Sequence, residues 1–141
     1  NQGENKTVVA ALTLEGIGPR MRFDGAMTSD RFVMYIRHCL APTLRPGHVV
    51  VADNLTAHHS PAVRAAIEAR GAELRYLPAY SPDFNPIEEA FSNVKQSLRR
   101  AQPRTDDDLR TATWAAFSTI TPADAAGWFT HCGYAPQAQS F

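Results

Sequence analysis

The sequence predicts an α/β fold, a mixed sheet with a parallel part and flanking helices. Three observations predict it. "KTVVAALTLEGI" (6–17) and "GHVVVADN" (47–54) are β-branched apolar runs of strand length. "TSDRFVMYIRHCLAPTL" (28–44), "SPAVRAAIEARG" (60–71) and the stretch from Pro86 to about Arg100 carry apolar residues at helical spacing. The two kinds alternate through the middle of the chain, as helical crossovers between parallel strands require.

Taken in order, residues 6–17 form a first strand, and Gly16, Gly18 and Pro19 punctuate a tight turn. "RMRFDG" (20–25) alternates and returns as the second, antiparallel strand of a hairpin. The helix over 28–44 takes Thr28 or Ser29 as its cap and is interrupted near its end by Pro42. The run 47–54 is continuous in apolar residues and stops abruptly at Asp53-Asn54, the pattern of a strand buried on both faces. Ser60 caps the next helix, Pro61 opens it and Gly71 follows its end. "AELRYLP" (72–78) is a further strand, and after a Pro-rich loop a helix starts at Pro86. Two more helical pieces follow, with Thr105/Asp108 and Thr121/Asp124 spaced as capping boxes. The domain reading is a core over 1–104 and a helical tail over 105–141 packed on the same domain.

Bulk properties narrow the function. The 141 residues suffice for one domain with a moderate core. Lys and Arg number 14, as do Asp and Glu, so formal net charge is zero. That argues against a strongly basic nucleic-acid grip across the whole chain and leaves room for a local basic stripe beside an acidic site. No apolar run approaches membrane-spanning length, so the expectation is a soluble protein without a membrane partner. The chain starts at Asn1 with no basic-then-apolar leader, which reads as a processed chain or a piece of a longer one. Cys39 and Cys132 lie far apart without CxxC spacing, and two reduced thiols suit a cytoplasmic location.

Two carboxylates stand out. Asp53 ends an apolar strand, where open α/β sheets place their sites and where hard oxygen suits Mg²⁺ or Mn²⁺. The alternative is that Asp53-Asn54 merely turn the chain. His58 and His59 follow, and adjacent histidines point different ways, so one at most faces such a site. Glu88 is the second candidate. Asn85 is a preferred N-cap, Pro86 fits the first helical position, and Glu88 stands where a capping-box glutamate sits. The apolar seam Ile87, Phe91, Val94, Leu98 puts Glu88 about 100° and Glu89 about 200° away. Glu88 is therefore expected to border the packed face and Glu89 to point to water. Ser92, Lys95 and Arg99 share the Glu88 stripe; Lys95 and Arg99 are either phosphate contacts or solvated helix charges.

Together, "ADNLTAHH" and "LPAYSPDFNPIE" resemble the "DN…H" and "LPPYSPDLNPIE" motifs of the DDE superfamily transposases, in their mariner-like bacterial insertion-sequence group. Between Asp53 and Glu88 lie 34 residues (54 to 87), the spacing typical of that group. "FDGAMTSDRFVMYI" and "LAPTLRPGHVVVADN" are similar to the family as well, so the resemblance covers roughly residues 6 to 135. It implies an RNase H-like, retroviral-integrase-like fold and metal-dependent phosphodiester hydrolysis and strand transfer in DNA transposition. It implies Asp53 and Glu88 as the second and third carboxylates of a triad holding two Mg²⁺ or Mn²⁺ ions. Asn54 and His58 match supporting positions, and Asp24 matches a non-catalytic one. The implied partners are transposon-end and target DNA, often at a TA dinucleotide, and a second copy in a homodimer. Upstream helix-turn-helix domains and a bacterial cytoplasmic, nucleoid-associated location complete the picture.

The sequence departs from the family at its start. An RNase H-like sheet begins with three antiparallel strands, the first bearing the first triad Asp, and only two precede the first helix here. The first strand is expected upstream of Asn1. Alone, the chain is then expected not to cut DNA, and to be unstable, to swap strands or to pair the Asp53 strand with the first strand. Two alternatives stay open: another RNase H-like nuclease, and an inactive remnant that binds DNA or a transposase subunit.

Overall fold

A computed structural model describes residues 6–54, 59–78 and 85–134. Its elements alternate as the sequence predicts. Strands β1 (Lys6–Thr13) and β2 (Gly16–Asp24) are joined by two residues, which forces an antiparallel hairpin. The turn lies at Leu14-Glu15 and not at Gly16–Pro19. The Thr13 hydroxyl fixes it, accepting from the Glu15 N–H at 3.1 Å and donating to the Gly16 carbonyl at 3.3 Å, while Gly16 supplies φ +122°. Pro19 consequently lies inside β2, a strand whose one partner among the described residues is β1.

Helix α1 (Ser29–Tyr35) is capped by Thr28, whose hydroxyl accepts from the Arg31 N–H. It runs into a π-helical turn (Ile36–Leu40) and a 3₁₀ turn (Ala41–Thr43). The continuous helix expected over 28–44 is thus tightened at Pro42, which has no N–H for the ladder. Strand β3 (Val49–Ala52), helix α2 (Pro61–Glu68) and strand β4 (Glu73–Tyr76) make a strand–helix–strand unit. β3 and β4 pair in parallel, Val49 with Glu73 through Ala52 with Tyr76. Three helices follow: α3 (Pro86–Ala101), α4 (Asp106–Ser118) and α5 (Pro122–His131).

The described residues hold two separate two-stranded sheets where one mixed sheet was expected. β1 and β3 do not pair, so the re-paired sheet does not form among them. The expectation of a β3 buried on both faces also fails. Val50 and Ala52 face a core, whereas on the other face Val49 is 48% exposed and Val51 only half-buried.

The chain forms two compact units. The first gathers described residues 6–11 and 19–78; the second gathers 12–18 and 85–134. In the first, Phe32, Tyr35, Ile36, Leu40, Val63, Ile67 and Leu74 form the buried cluster, with β1, β2 and β3 side chains packed against it. Tyr35 donates its hydroxyl to the Pro19 carbonyl at 2.7 Å, so the buried phenol is satisfied. In the second, Ala90, Val94, Ala116, Phe117, Ile120 and Ala125 are buried, and Phe117 stacks with Trp114 at 5.5 Å. No helix among the described residues is long and apolar enough to cross a membrane.

Candidate functional site

Asp53 lies in the first unit, directly after the last residue of β3, and is half-buried. The strand's parallel pairing carries the chain to this point: the Leu77 N–H reaches the Ala52 carbonyl at 2.8 Å. Asn54, next to it, is exposed and its side-chain oxygen meets His59 Nε2. His59 stacks flat on Tyr76, the final residue of β4, with ring centroids 4.1 Å apart and planes 16° apart. The Arg64 guanidinium stands 5.8 Å from the centre of the same ring. Burial pushes the Tyr76 phenol up, and the Arg64 charge partly offsets that. His59, Ser60, Arg64, Glu68 and Tyr76 line an open groove of about 410 Å³.

His58 lies outside the described residues. Of the two adjacent histidines, His59 is the one whose partners are visible. The resemblance chose His58 of the pair, whereas the interactions seen among the described residues are those of His59.

Glu88 lies in the second unit, in the first turn of α3, and is exposed. Asn85 caps this helix by accepting from the Ile87 N–H at 3.3 Å. Among the described residues the complete capping box is at Thr121–Asp124, where each side chain takes the other's backbone N–H at 3.0 Å. The Glu88 carboxylate is therefore not committed to a cap bond in the way its position suggested. Lys95 and Arg99 are exposed on the same helix.

The expectation for Glu89 is overturned. Its side chain is 31% exposed, with one oxygen meeting His131 Nδ1 and lying 3.9 Å from Cys132 Sγ. The buried stripe of α3 is Pro86, Ala90 and Val94, with Ile87, Phe91 and Leu98 of the expected seam half-buried beside it, while α5 meets the helix at Glu89. Trp128 of α5 lines a cleft there with Glu89, Asn93 and Gln96. Glu88, expected to border the packed face, is instead exposed. Asp24, which matches a non-catalytic family position, ends β2 and is paired with Lys6.

The two candidate carboxylates come from a strand end and a helix start, and both motifs fall inside one family match. Residues 1–110 match the DDE superfamily endonuclease family. The chain belongs to that family. Comparison with curated proteins finds no match. The family gives a nuclease or transposase type of function with DNA as substrate class, and such enzymes generally use divalent metals.

Proposed function

We propose that the chain supplies the second and third carboxylates, Asp53 and Glu88, of a transposase metal site of the mariner-like bacterial insertion-sequence group. The observation that carries this is a family match spanning both motif segments. The donor set fits the metal. Two carboxylates at element ends, one half-buried and one exposed, are hard oxygen ligands suited to Mg²⁺ or Mn²⁺. Bound there, such ions supply Lewis-acid activation of a water or 3′-hydroxyl and stabilise the leaving oxygen of an in-line displacement. Asn54, whose side chain meets His59, and His58 have supporting roles beside Asp53. Lys95 and Arg99 hold phosphate on the exposed face of α3.

The RNase H-like sheet belongs to the same proposal. It is supported by β1 and β3 each having a single strand partner among the described residues, and by a half-covered β3. A strand from upstream polypeptide, carrying the first Asp, completes the sheet in this reading. Residues 1–104 are then the core and 105–141 its helical tail. The 141-residue chain binds metal without cutting DNA. The whole transposase, with helix-turn-helix domains and as a homodimer, cuts paired ends and joins them to target DNA.

Mn²⁺ titration followed by water proton relaxation tests the site. The chain is expected to bind Mn²⁺, with affinity falling by about 100-fold or more in Asp53→Asn and in Glu88→Gln, a loss at or beyond that of outer-shell changes. Absence of binding, or binding indifferent to both substitutions, overturns the site and leaves a remnant without metal chemistry.

A further inference from the structure

We propose that Glu89, His131 and Cys132 form a second metal site, for a thiophilic divalent cation with Zn²⁺ the best-fitting ion. Their possible ligand atoms all lie within 4.8 Å of one another. Tetrahedral zinc with nitrogen, oxygen and sulfur ligands sets donor separations at roughly 3.3–3.6 Å. The Cys132 Sγ to Glu89 Oε1 distance of 3.9 Å is within a few tenths of that. His131 Nδ1 already meets the same oxygen, and a cation between them replaces the ring proton and parts the two atoms to the separation of tetrahedral ligands.

The backbone explains why two consecutive residues converge on one carboxylate. His131 is the last residue of α5 and Cys132 its C-cap. Gly133, at φ +92°, turns the chain, and the Tyr134 N–H reaches back to the Phe129 carbonyl at 2.8 Å. The Gly133 N–H bonds the Thr130 carbonyl at 3.0 Å, completing a Schellman closure. The Phe129 and Tyr134 rings, 6.0 Å apart, supply its apolar contact. The donors are thus presented by a fixed helix end to the first turn of α3.

Exposure grades across the site. Cys132 is 7% exposed at its base, the Glu89 side chain 31% and the His131 side chain 77%. A cation enters from the His131 side, and a water fills the fourth position. Thiolate and imidazole ligands select a borderline-soft ion over Mg²⁺, so this site does not duplicate the one proposed at Asp53 and Glu88. An ion here ties the end of α5 to the turn of α3 that carries Glu88.

Co²⁺ titration of the 141-residue chain, kept reduced, is the test. The expected result is a thiolate-to-Co²⁺ charge-transfer band that saturates at one equivalent and is abolished by one equivalent of Zn²⁺. Cys132→Ser is expected to remove the band, and Glu89→Gln to weaken Co²⁺ at least about tenfold, as lost metal-site partners do. Asp53→Asn and Glu88→Gln are expected to leave it unchanged. A wild-type chain without the band, or a band surviving Cys132→Ser, overturns the site. Should Cys132→Ser not fold, Zn²⁺ protection of Cys132 against alkylation in the wild-type chain gives the same decision. Cys39 is the internal reference, and equal alkylation of Cys132 with and without Zn²⁺ overturns the proposal.

Discussion

The two units present their carboxylates by opposite devices. In the first, a parallel strand ends and leaves Asp53 half-buried beside Asn54, whose side chain meets His59, itself stacked on Tyr76. In the second, a helix begins and offers two consecutive glutamates, about 100° apart, to different surroundings. A strand end gives one side chain one direction. A helix start splits neighbours, so Glu88 faces outward while Glu89 is taken up by α5. Adjacency in sequence therefore says little about shared chemistry at either place.

The largest effects should come from removing what holds each device. Ile67, fully buried, fixes α2 against the β3–β4 pair; Phe117, 3% exposed, fixes α4 and stacks on Trp114. Ile67→Ala is expected to cost about 2–5 kcal/mol and Phe117→Ala about 3–5 kcal/mol, from lost burial plus the cavity left behind. Urea unfolding of each variant measures this. A cost below about 1 kcal/mol at Ile67 would mean that the unit carrying Asp53 is not held by that cluster.

Next in size is the separation of the two glutamates. Glu88→Gln is expected to weaken Mn²⁺ by about 100-fold or more while sparing the Co²⁺–thiolate band. Glu89→Gln is expected to do the reverse. Titrating both metals into both variants measures it, and a substitution that weakens both metals alike breaks the distinction between the neighbours.

How far the sequence foretold these features depends on how local each cause is. The helix starts at Ser60, Asn85, Thr105 and Thr121 were legible, and the first was narrowed to Thr28 or Ser29, because a cap needs only its own next three residues. The parallel β3–α2–β4 unit was legible because an apolar run, a capped helix and an alternating run follow one another. The hairpin turn was misplaced because glycines and a proline outweighed Thr13, whose hydroxyl makes the turn two residues earlier. The half-exposure of β3 was not legible, since its composition is equally that of a strand with two neighbours. Glu89 was misread for a similar reason. A single apolar seam locates one packed flank, and contact with α5 depends on residues some 40 positions away, 131 and 132.

Tyrosine burial gives a pH handle that differs between units. Burial raises the Tyr35 phenol far above its ordinary value of about 10, with Cys39 adding to the shift. Burial also raises Tyr134 in the second unit, with Cys132 adding. A pKa raised on folding stabilises fully below the unfolded value, and that stability is lost as pH rises through the folded one. The urea midpoint is therefore expected to fall as pH passes about 10, and to fall less steeply in Tyr35→Phe. The variant should also lose about 1 kcal/mol at neutral pH with its hydrogen bond to the Pro19 carbonyl. An identical alkaline slope in wild type and Tyr35→Phe would assign the loss to other groups.

The smallest expected difference compares the caps of one helix in each unit. Ser60 accepts a single long bond from the Ala62 N–H at 3.3 Å. Thr121 accepts from Asp124 at 3.0 Å and receives the Asp124 carboxylate on its own N–H at 3.0 Å. Thr121→Ala removes one bond and leaves the Asp124 carboxylate without the threonine that shaped its return. Its cost is expected to be about 1.5 kcal/mol, in the upper part of the usual capping range, and that of Ser60→Ala about 0.5 kcal/mol, at its lower end. Matched urea curves at neutral pH resolve the two. Equal costs would mean that the reciprocal bond at Thr121 adds nothing to the single bond a lone cap makes, and that α5 is held at its start by packing. In that case the anchoring of α5 would rest on its other end, where His131 and Cys132 meet Glu89.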